Sequence, residues 1–451
     1  MFSFIQLCQL AAVLPTLTSA QNVFAHVVMG VTGGYTVDKW ISDIQLAQNH
    51  GIEAFALNIA PPFEGTTATQ VSNAFTAAND LAGQLSSDFK LFFSFDYLGG
   101  GIPWTSGEIV NVLNDYGKNG AHFQVDGKPM VSTFEGTRDE DINSWPGIRS
   151  SVRDTIGDIY LVPDWDSRGP NGFDISLVDG TFSWNMWANG PINKTTDNDY
   201  AWKNAAESAG GKSYMMGISP WFYTDLPQFH KAWVWRGDSM WSDRWNQALE
   251  VKPRFIEIVT WNDFGESHYI GPIDESSIVS GANRYVDNMP HTAWLQTLSY
   301  QIAAYKHAYN PDYAAAAASV GSGDEKIVYW YRTTPAAAGS TDATGNDCPS
   351  AINTGGYQTC YDTSQILEDE VFAIVMASKA ATATIRIGDS TSMYRVGAGI
   401  NSISKPFNGA TGRVSVSLDG VVSGSGVEIV SSPADGVANY NAWVGCAGSC
   451  I

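Results

Sequence analysis

The chain has 451 residues, enough for one large domain and a smaller one. Its 25 basic and 46 acidic residues leave a net charge of −21, which argues against nucleic acid or an anionic membrane surface as a main partner. Only 16% of residues are charged while 12% are aromatic, with 16 Trp, so a neutral polar surface carrying indole rings is expected. An indole face suits the apolar C–H face of a sugar ring.

Residues 1–20 read as a secretory signal peptide. An apolar stretch ends on Thr18-Ser19-Ala20, small residues at the cleavage positions, although no Lys or Arg precedes it. No later apolar run is long enough to span a bilayer. The expectation is a secreted, extracellular monomer. Residues 23–29 form the first strand-like run. Val37, Trp40, Ile41 and Ile44 follow at helical spacing after Thr36, a natural N-cap. Further strands are expected at 54–59, 90–97, 130–134, 159–163, 181–186, 213–218 and 256–261, with helices at 66–85 and 107–116 and a hairpin turning at Asp126-Gly127. Eight strands interleaved with helices suggest a (β/α)8 TIM barrel over residues 21–312. A doubly wound sheet is the rival, but Met29–Gly34 matches its phosphate-binding turn poorly.

Residues 313–323 look like a linker. Beyond it, over 324–451, the period shortens. The stretches 327–332, 371–377, 383–387 and 414–418 are β-rich and separated by Gly, Ser and Asn, which predicts a C-terminal β-sandwich domain. Cys348, Cys360, Cys446 and Cys450 all fall there, an even number that suggests two disulfides. Three connectivities are open; Cys348–Cys360 and Cys446–Cys450 close the shortest loops. Asn193-Lys194-Thr195 is an N-glycosylation sequon.

In a barrel of this kind the active site sits at the C-terminal ends of the strands. Those ends carry Asn58, Asp96 and Tyr97, Glu135, Asp164-Trp165-Asp166, Asn185 and Trp187, Trp221 and Tyr223, and finally Trp261, Asn262, Asp263 and Glu266. Carboxylates and aromatics on one rim suggest a carbohydrate cleft. Glycosidic cleavage needs one carboxyl group to protonate the leaving oxygen and another to activate water or attack. Asp263, Glu266 and Asp96 are the natural set, and crowding raises the pKa of at least one member. Gly265 is expected to let the chain turn so that Asp263 and Glu266 reach one side. Asp164 and Asp166 are candidates for binding sugar hydroxyls, and Glu135 is a weaker one beside the charge cluster Arg138–Asp141. Trp165, Trp187, Trp221, Tyr223 and Trp261 read equally as stacking platforms or as core. His268 follows the pair closely in sequence and is a candidate for touching substrate, although a plain surface role is the favoured reading for it. The seven His lack metal-ligand spacing, so neither a metal nor a cofactor is expected.

The blocks Ala25–Gly30, Gly51–Asn58, Phe93–Asp96 and Trp261–Ser267 resemble the fungal α-1,3-glucanases, or mutanases, of glycoside hydrolase family 71. The resemblance covers about 23–309. It implies an endo-acting hydrolase of α-1,3-glucan that inverts the anomeric centre, with Asp263 and Glu266 as the catalytic pair and Asp96 in support. Glu266 is assigned as general acid and Asp263 as general base. Inverting pairs usually stand about 6.5–9.5 Å apart. Residues three apart on a tight turn can sit closer, and a relayed water, or Asp96, would then serve. Two other readings stand beside this one. A wall protein that binds glucan without cleaving it would need the aromatics but not the clustered carboxylates. A barrel glycosidase of another linkage, such as an endo-α-mannosidase, shares partly similar blocks.

Overall fold

Eight parallel strands close into a barrel: β1 (Asn22–Val28), β2 (Ala54–Ile59), β3 (Lys90–Asp96), β4 (Lys128–Phe134), β5 (Tyr160–Asp164), β6 (Gly180–Ser183), β7 (Ser213–Ile218) and β8 (Phe255–Ile258). Each pairs with its sequence neighbour, and β8 pairs with β1, with Phe24 opposite Ala54 on one side and Glu257 on the other. This computed structural model describes residues 21–84, 88–311, 313, 319–346 and 360–450. The expected signal peptide, part of the expected linker and Cys348 lie outside the described residues.

The strands read as unbroken apolar runs because both of their faces are buried. Phe24, Phe92, Met130, Val162, Phe182, Met215 and Phe255 fill the barrel, while Val23, Phe55, Leu91, Phe93 and Ile256 point out to the helices. One polar pair sits inside: His26 Nδ1 and Glu257 Oε1 lie 2.7 Å apart, both buried. The outer helices are α1 (Val37–Asn49), α2 (Gly65–Asp80), α3 (Ser106–Tyr116), α4 (Asp139–Ile156), α5 (Asp197–Ser208), α6 (Met240–Val251) and α7 (Leu295–Tyr309). Thr36 caps α1 as expected, its hydroxyl accepting from the Lys39 N–H. The charge cluster Arg138–Asp141 is not merely solvated. It opens α4, where Asp139, Glu140 and Asp141 oppose the helix dipole and Arg138 grips Asp141. No α-helix follows β5. Two 3-10 turns, Asp166–Arg168 and Ile175–Leu177, take its place around the helix-breaking run Gly169-Pro170-Asn171-Gly172.

The C-terminal part is a β-sandwich of β9 (Lys326–Tyr331), β10 (Glu370–Ala377), β11 (Ala381–Ile387), β12 (Ser390–Val396), β13 (Gly399–Pro406), β14 (Gly412–Leu418), β15 (Val422–Ile429) and β16 (Trp443–Gly448). One antiparallel sheet runs β13-β10-β9-β16 and the other β12-β11-β14-β15. Ile327, Tyr329, Val371, Ile385, Val414 and Val416 pack between them. The other face of the first sheet, with Val328, Trp330, Phe372 and Ile374, belongs to the same apolar cluster as the outer barrel layer. Hydrogen bonds stitch this seam: Trp330 Nε1 to the Asp238 carbonyl (2.8 Å), Trp221 Nε1 to the Tyr440 carbonyl (2.9 Å), and Asn441 Nδ2 to the Tyr285 carbonyl (2.8 Å). Cys446 and Cys450 form a disulfide, and Cys360 is also disulfide-bonded.

A buried ion pair braces the outer layer between α5 and α6. Arg244 makes two parallel bonds to Asp199, at 2.8 and 2.9 Å, and the Tyr214 hydroxyl adds a third. Both partners are 1% exposed, so removing one strands a buried charge. Arg244→Met is expected to lower the unfolding free energy by about 3–5 kcal/mol, read as a lower urea midpoint.

Candidate active site

β8 ends at Ile258, earlier than its apolar sequence suggests, because the chain then folds back on itself. The Thr260 N–H donates to the His268 carbonyl and the Ile270 N–H to the Thr260 carbonyl, both at 2.9 Å. Trp261 and Gly271 form the next rung, with the Gly271 N–H on the Trp261 carbonyl at 2.8 Å. The tip of this clip carries Asp263 and Glu266. The Asp263 N–H donates to Thr260 Oγ1 (2.8 Å), and Asp263 Oδ1 accepts from the Glu266 N–H (2.9 Å). The turn residue is Ser267, at φ 59°, and not the expected Gly265. Gly265 instead packs close against Leu226, and its carbonyl accepts from the Tyr285 hydroxyl at 2.7 Å.

The two carboxyl groups share partners but shift in opposite directions. Lys231 Nζ lies 2.5 Å from Glu266 Oε1, and His268 Nε2 lies 3.0 Å from Glu266 Oε2. His268 is held in turn through Nδ1, 3.1 Å from Thr260 Oγ1. Burial pushes the Glu266 carboxyl up, but the Lys231 ammonium and His268 outweigh it and bring it down to about 2. Burial and the Glu266 charge raise the Asp263 carboxyl. Oxygens of Asp263 and Glu266 and a ring nitrogen of His268 all lie within 4.8 Å of one another. That spacing would admit a cation. The donor set does not fit a resident metal, however, because the Lys231 ammonium already sits on Glu266.

Glu266 opens onto a cavity of about 380 Å³ at the C-terminal end of the barrel. Its wall is aromatic: Phe134 after β4, Trp184 and Trp187 after β6, Phe222 after β7, and Trp233 and Trp235 further on. Trp233 stacks on Phe222, with centroids 5.7 Å apart and planes 17° apart. Asp166, Asn185 and Asn189 complete the lining with polar groups. A larger cavity, about 730 Å³, opens at the opposite end beside the strand starts Asn22, Ser213 and Phe255. It is lined by Lys203, Lys212, Lys252 and Arg254 with Asp126 and Glu207, but it lies at the strand starts, away from the barrel end that carries Asp263 and Glu266, so the smaller one is the candidate site.

Of the sequence candidates, Glu266, Asp166, Asn185 and Trp187 line this cavity, and Asp263 and His268 lie beside Glu266, the Asp263 side chain still partly exposed. His268 is 1% exposed and is no surface residue. Asp96 does not join the pair. Its Oδ1 accepts from the Leu98 and Gly99 N–H groups, both at 2.8 Å, and so shapes its own loop. Asp164 is fully buried, its carboxyl driven well up by burial and then by Asp166 and Glu135. Burial, and then Glu135, raises Asp166 as well, against a hydrogen bond from Ser183. Glu135 is occupied by the Ser167 and Thr137 hydroxyls.

Four expected stacking platforms are core instead. Trp165, Trp221, Trp261 and Tyr223 are at most 1% exposed. Trp261 Nε1 donates to Asp43 (3.1 Å), Trp165 packs edge-on against Phe173, and Tyr223 lies between Tyr285 and Tyr440. Asn262 is likewise buried, bonding both the N–H and the carbonyl of Val28 to tie β8 to β1. Tyr97 is half-buried against the backbone of Gly136. Sequence reasoning missed Lys231, Trp233 and Trp235. Their signal was present in Lys231-Ala232-Trp233-Val234-Trp235, whose alternation marks a strand with both indoles on one face.

Residues 19–450 match the model of glycosyl hydrolase family 71, and the chain belongs to that family. A glucan endo-1,3-alpha-glucosidase of Schizosaccharomyces pombe is 36% identical over 97% of this chain and 97% of its own. A mutanase of Penicillium rubens is 31% identical over 98% of this chain and 95% of its own. Among solved structures, an endo-alpha-mannosidase from Bacteroides thetaiotaomicron overlays with a TM-score of 0.43 at 17% identity, covering 60% of this chain and 80% of that one.

Thr260 serves both Asp263 and His268 through a single hydroxyl. Thr260→Val keeps the shape but leaves the Asp263 N–H and a His268 nitrogen unsatisfied. The expected cost is about 1–3 kcal/mol of stability, measured by thermal or urea unfolding.

Proposed function

We propose that this chain is a secreted, monomeric hydrolase of α-1,3-glucan that cuts within the polymer and inverts the anomeric centre. One observation carries the reading: Asp263 and Glu266 are held together at the end of β8, beside an aromatic-walled cavity, in a chain of family 71. The aromatic faces suit sugar rings, and Asn185, Asn189 and Asp166 offer partners for their hydroxyls. Secretion is supported by the leader-like residues 1–20 and by the Cys446–Cys450 disulfide, which suits an oxidising compartment. Asn193 is exposed, as a glycan acceptor must be.

The electrostatics favour a division of labour opposite to the sequence-based assignment. Glu266 is paired with an ammonium and stays ionised, which suits a base. Asp263 is pushed up by burial beside that charge, which suits an acid that keeps its proton. We assign Asp263 as donor to the leaving oxygen and Glu266 as acceptor of the proton from water. Their oxygens approach within 4.8 Å, closer than the roughly 6.5–9.5 Å of ordinary inverting pairs. A second water therefore relays the proton from the attacking one to Glu266.

Incubation with insoluble α-1,3-glucan is expected to release oligosaccharides whose new reducing ends first appear, by NMR, with inverted configuration. Initial retention would overturn the relay. Activity confined to α-mannan would overturn the substrate. Asp263→Asn and Glu266→Gln should each lower kcat by about 10²–10⁴-fold, and wild-type turnover in both would remove the pair from the chemistry. Activity should fall as pH rises through the elevated Asp263 pKa, because the donor loses its proton there. On the acidic side it should persist until Glu266 protonates near its value of about 2.

A further inference from the structure

We infer that Lys231 is a positioning residue that keeps the Glu266 carboxylate oriented and charged, and that Thr344–Asn346, beyond the barrel, locks it in place. The inference deepens the reading above and rests on Glu266 acting as base.

Lys231 starts the second strand of a hairpin, Tyr223–Leu226 with Lys231–Val234, inserted between β7 and α6. The Lys231 side chain is 40% exposed. A long, half-exposed lysine on a loose loop holds a carboxylate poorly, because its own rotamer freedom competes with the contact. A two-stranded ribbon alone is also marginal in water. Here the ribbon is fastened on three sides. The Tyr223 N–H donates to the Glu266 carbonyl at 3.0 Å, so the hairpin is registered directly on the residue that its lysine serves. Asp225 pairs with Arg284 beside the short helix Asn283–Val286. Thr344 and Gly345 add a third strand, parallel to Trp233 and Val234.

Asn346 completes the lock. It is fully buried, its N–H donates to the Val234 carbonyl (2.9 Å), its Oδ1 accepts from the Gly190 N–H (3.1 Å), and its Nδ2 donates to Asn189 (3.0 Å). One residue thus joins the hairpin wall of the cleft, through its backbone, to the wall after β6, through its side chain. Gly190, at φ 80°, lies under the ring of Tyr361, where a Cβ would come within 3.0 Å of the ring. Tyr361 exchanges backbone bonds with Gly345, at 2.7 and 3.2 Å. The groups facing Glu266 are therefore Lys231 from the hairpin, His268 and Asp263 from its own loop, Tyr285 from the short helix, and Asp166 across the cavity. The Lys231 ammonium stands 6.0 Å from the ring centroid of Trp233, which lines the cavity.

The test is the pH profile of kcat/KM on α-1,3-glucan for the full chain and for Lys231→Met, Lys231→Arg and Asn346→Ala. Lys231→Met should move the acidic limb upward, with kcat/KM on that side falling on the order of tenfold or more. Lys231→Arg should restore much of the limb, and Asn346→Ala should move it in the same direction as Lys231→Met. The unfolding temperature of Lys231→Met should stay close to wild type, since a half-exposed pair contributes little to stability. An acidic limb unchanged in Lys231→Met, or moved equally in the Arg and Met variants, overturns the inference. If Lys231→Met fails to fold, the Arg and Ala variants decide it by the same limb. Full turnover in Glu266→Gln would instead sink the reading of Glu266, a separate outcome.

Discussion

Two carboxyl groups within 4.8 Å of each other cannot both stay charged without a cation nearby, and the architecture of the site answers that constraint. Glu266 receives Lys231 and His268, while Asp263 is left with burial and the charge of its neighbour. The pair is thereby made unequal by its surroundings, although the two groups differ by only one methylene. Each supporting element serves that inequality. The fold-back after β8 fixes the spacing, Thr260 sets His268, and the hairpin delivers the ammonium.

The barrel interior reaches the same place from below. The His26–Glu257 pair lies inside the barrel, and the His26 ring meets Trp184 edge-on, with centroids 4.9 Å apart. Trp184 also packs edge-on against Phe134, and both line the cavity. The cleft floor is therefore continuous with the close-packed core, which has little room to yield. The interior is crowded with rings because Phe24, Phe92, Phe123 and Phe255 meet within it in place of the smaller branched residues more usual in such barrels.

Much of the barrel was legible because its strands are buried on both faces and so stand out as apolar runs between Gly and polar turns. The strand starts were all read to within two residues, β4 within its hairpin being the furthest off. The ends of β6 and β8 were overrun, since Trp184–Met186 and Val259–Trp261 stay apolar after leaving the ladder. In the sandwich, β16 escaped notice, its end Gly445-Cys446-Ala447-Gly448 lacking branched residues, and so did β12, β13 and β15. Each of the last three exposes one face and is rich in Ser and Gly, so neither composition nor hydrophobicity marks them. At the site, the carboxylates announced themselves by type and place. The aromatics did not, because an indole at a strand end looks the same whether it faces sugar or core. Trp221 and Trp261 turned inward while Trp233 and Trp235, on an inserted hairpin, turned to the cleft. Lys231 was invisible for a different reason. Its partner lies 35 residues away, joined only by tertiary structure.

The strand at Thr344–Gly345 has a consequence for how the molecule comes to life. A growing polypeptide leaves the ribosome from its N-terminal end, so all eight barrel strands and both carboxylates emerge before the third strand of the hairpin does. Until that segment arrives, the ribbon on one wall of the cleft lacks its third strand. A chain stopped just short of that segment is thus a barrel without a finished mouth, and the mouth is completed only once translation has passed into the last quarter of the polypeptide.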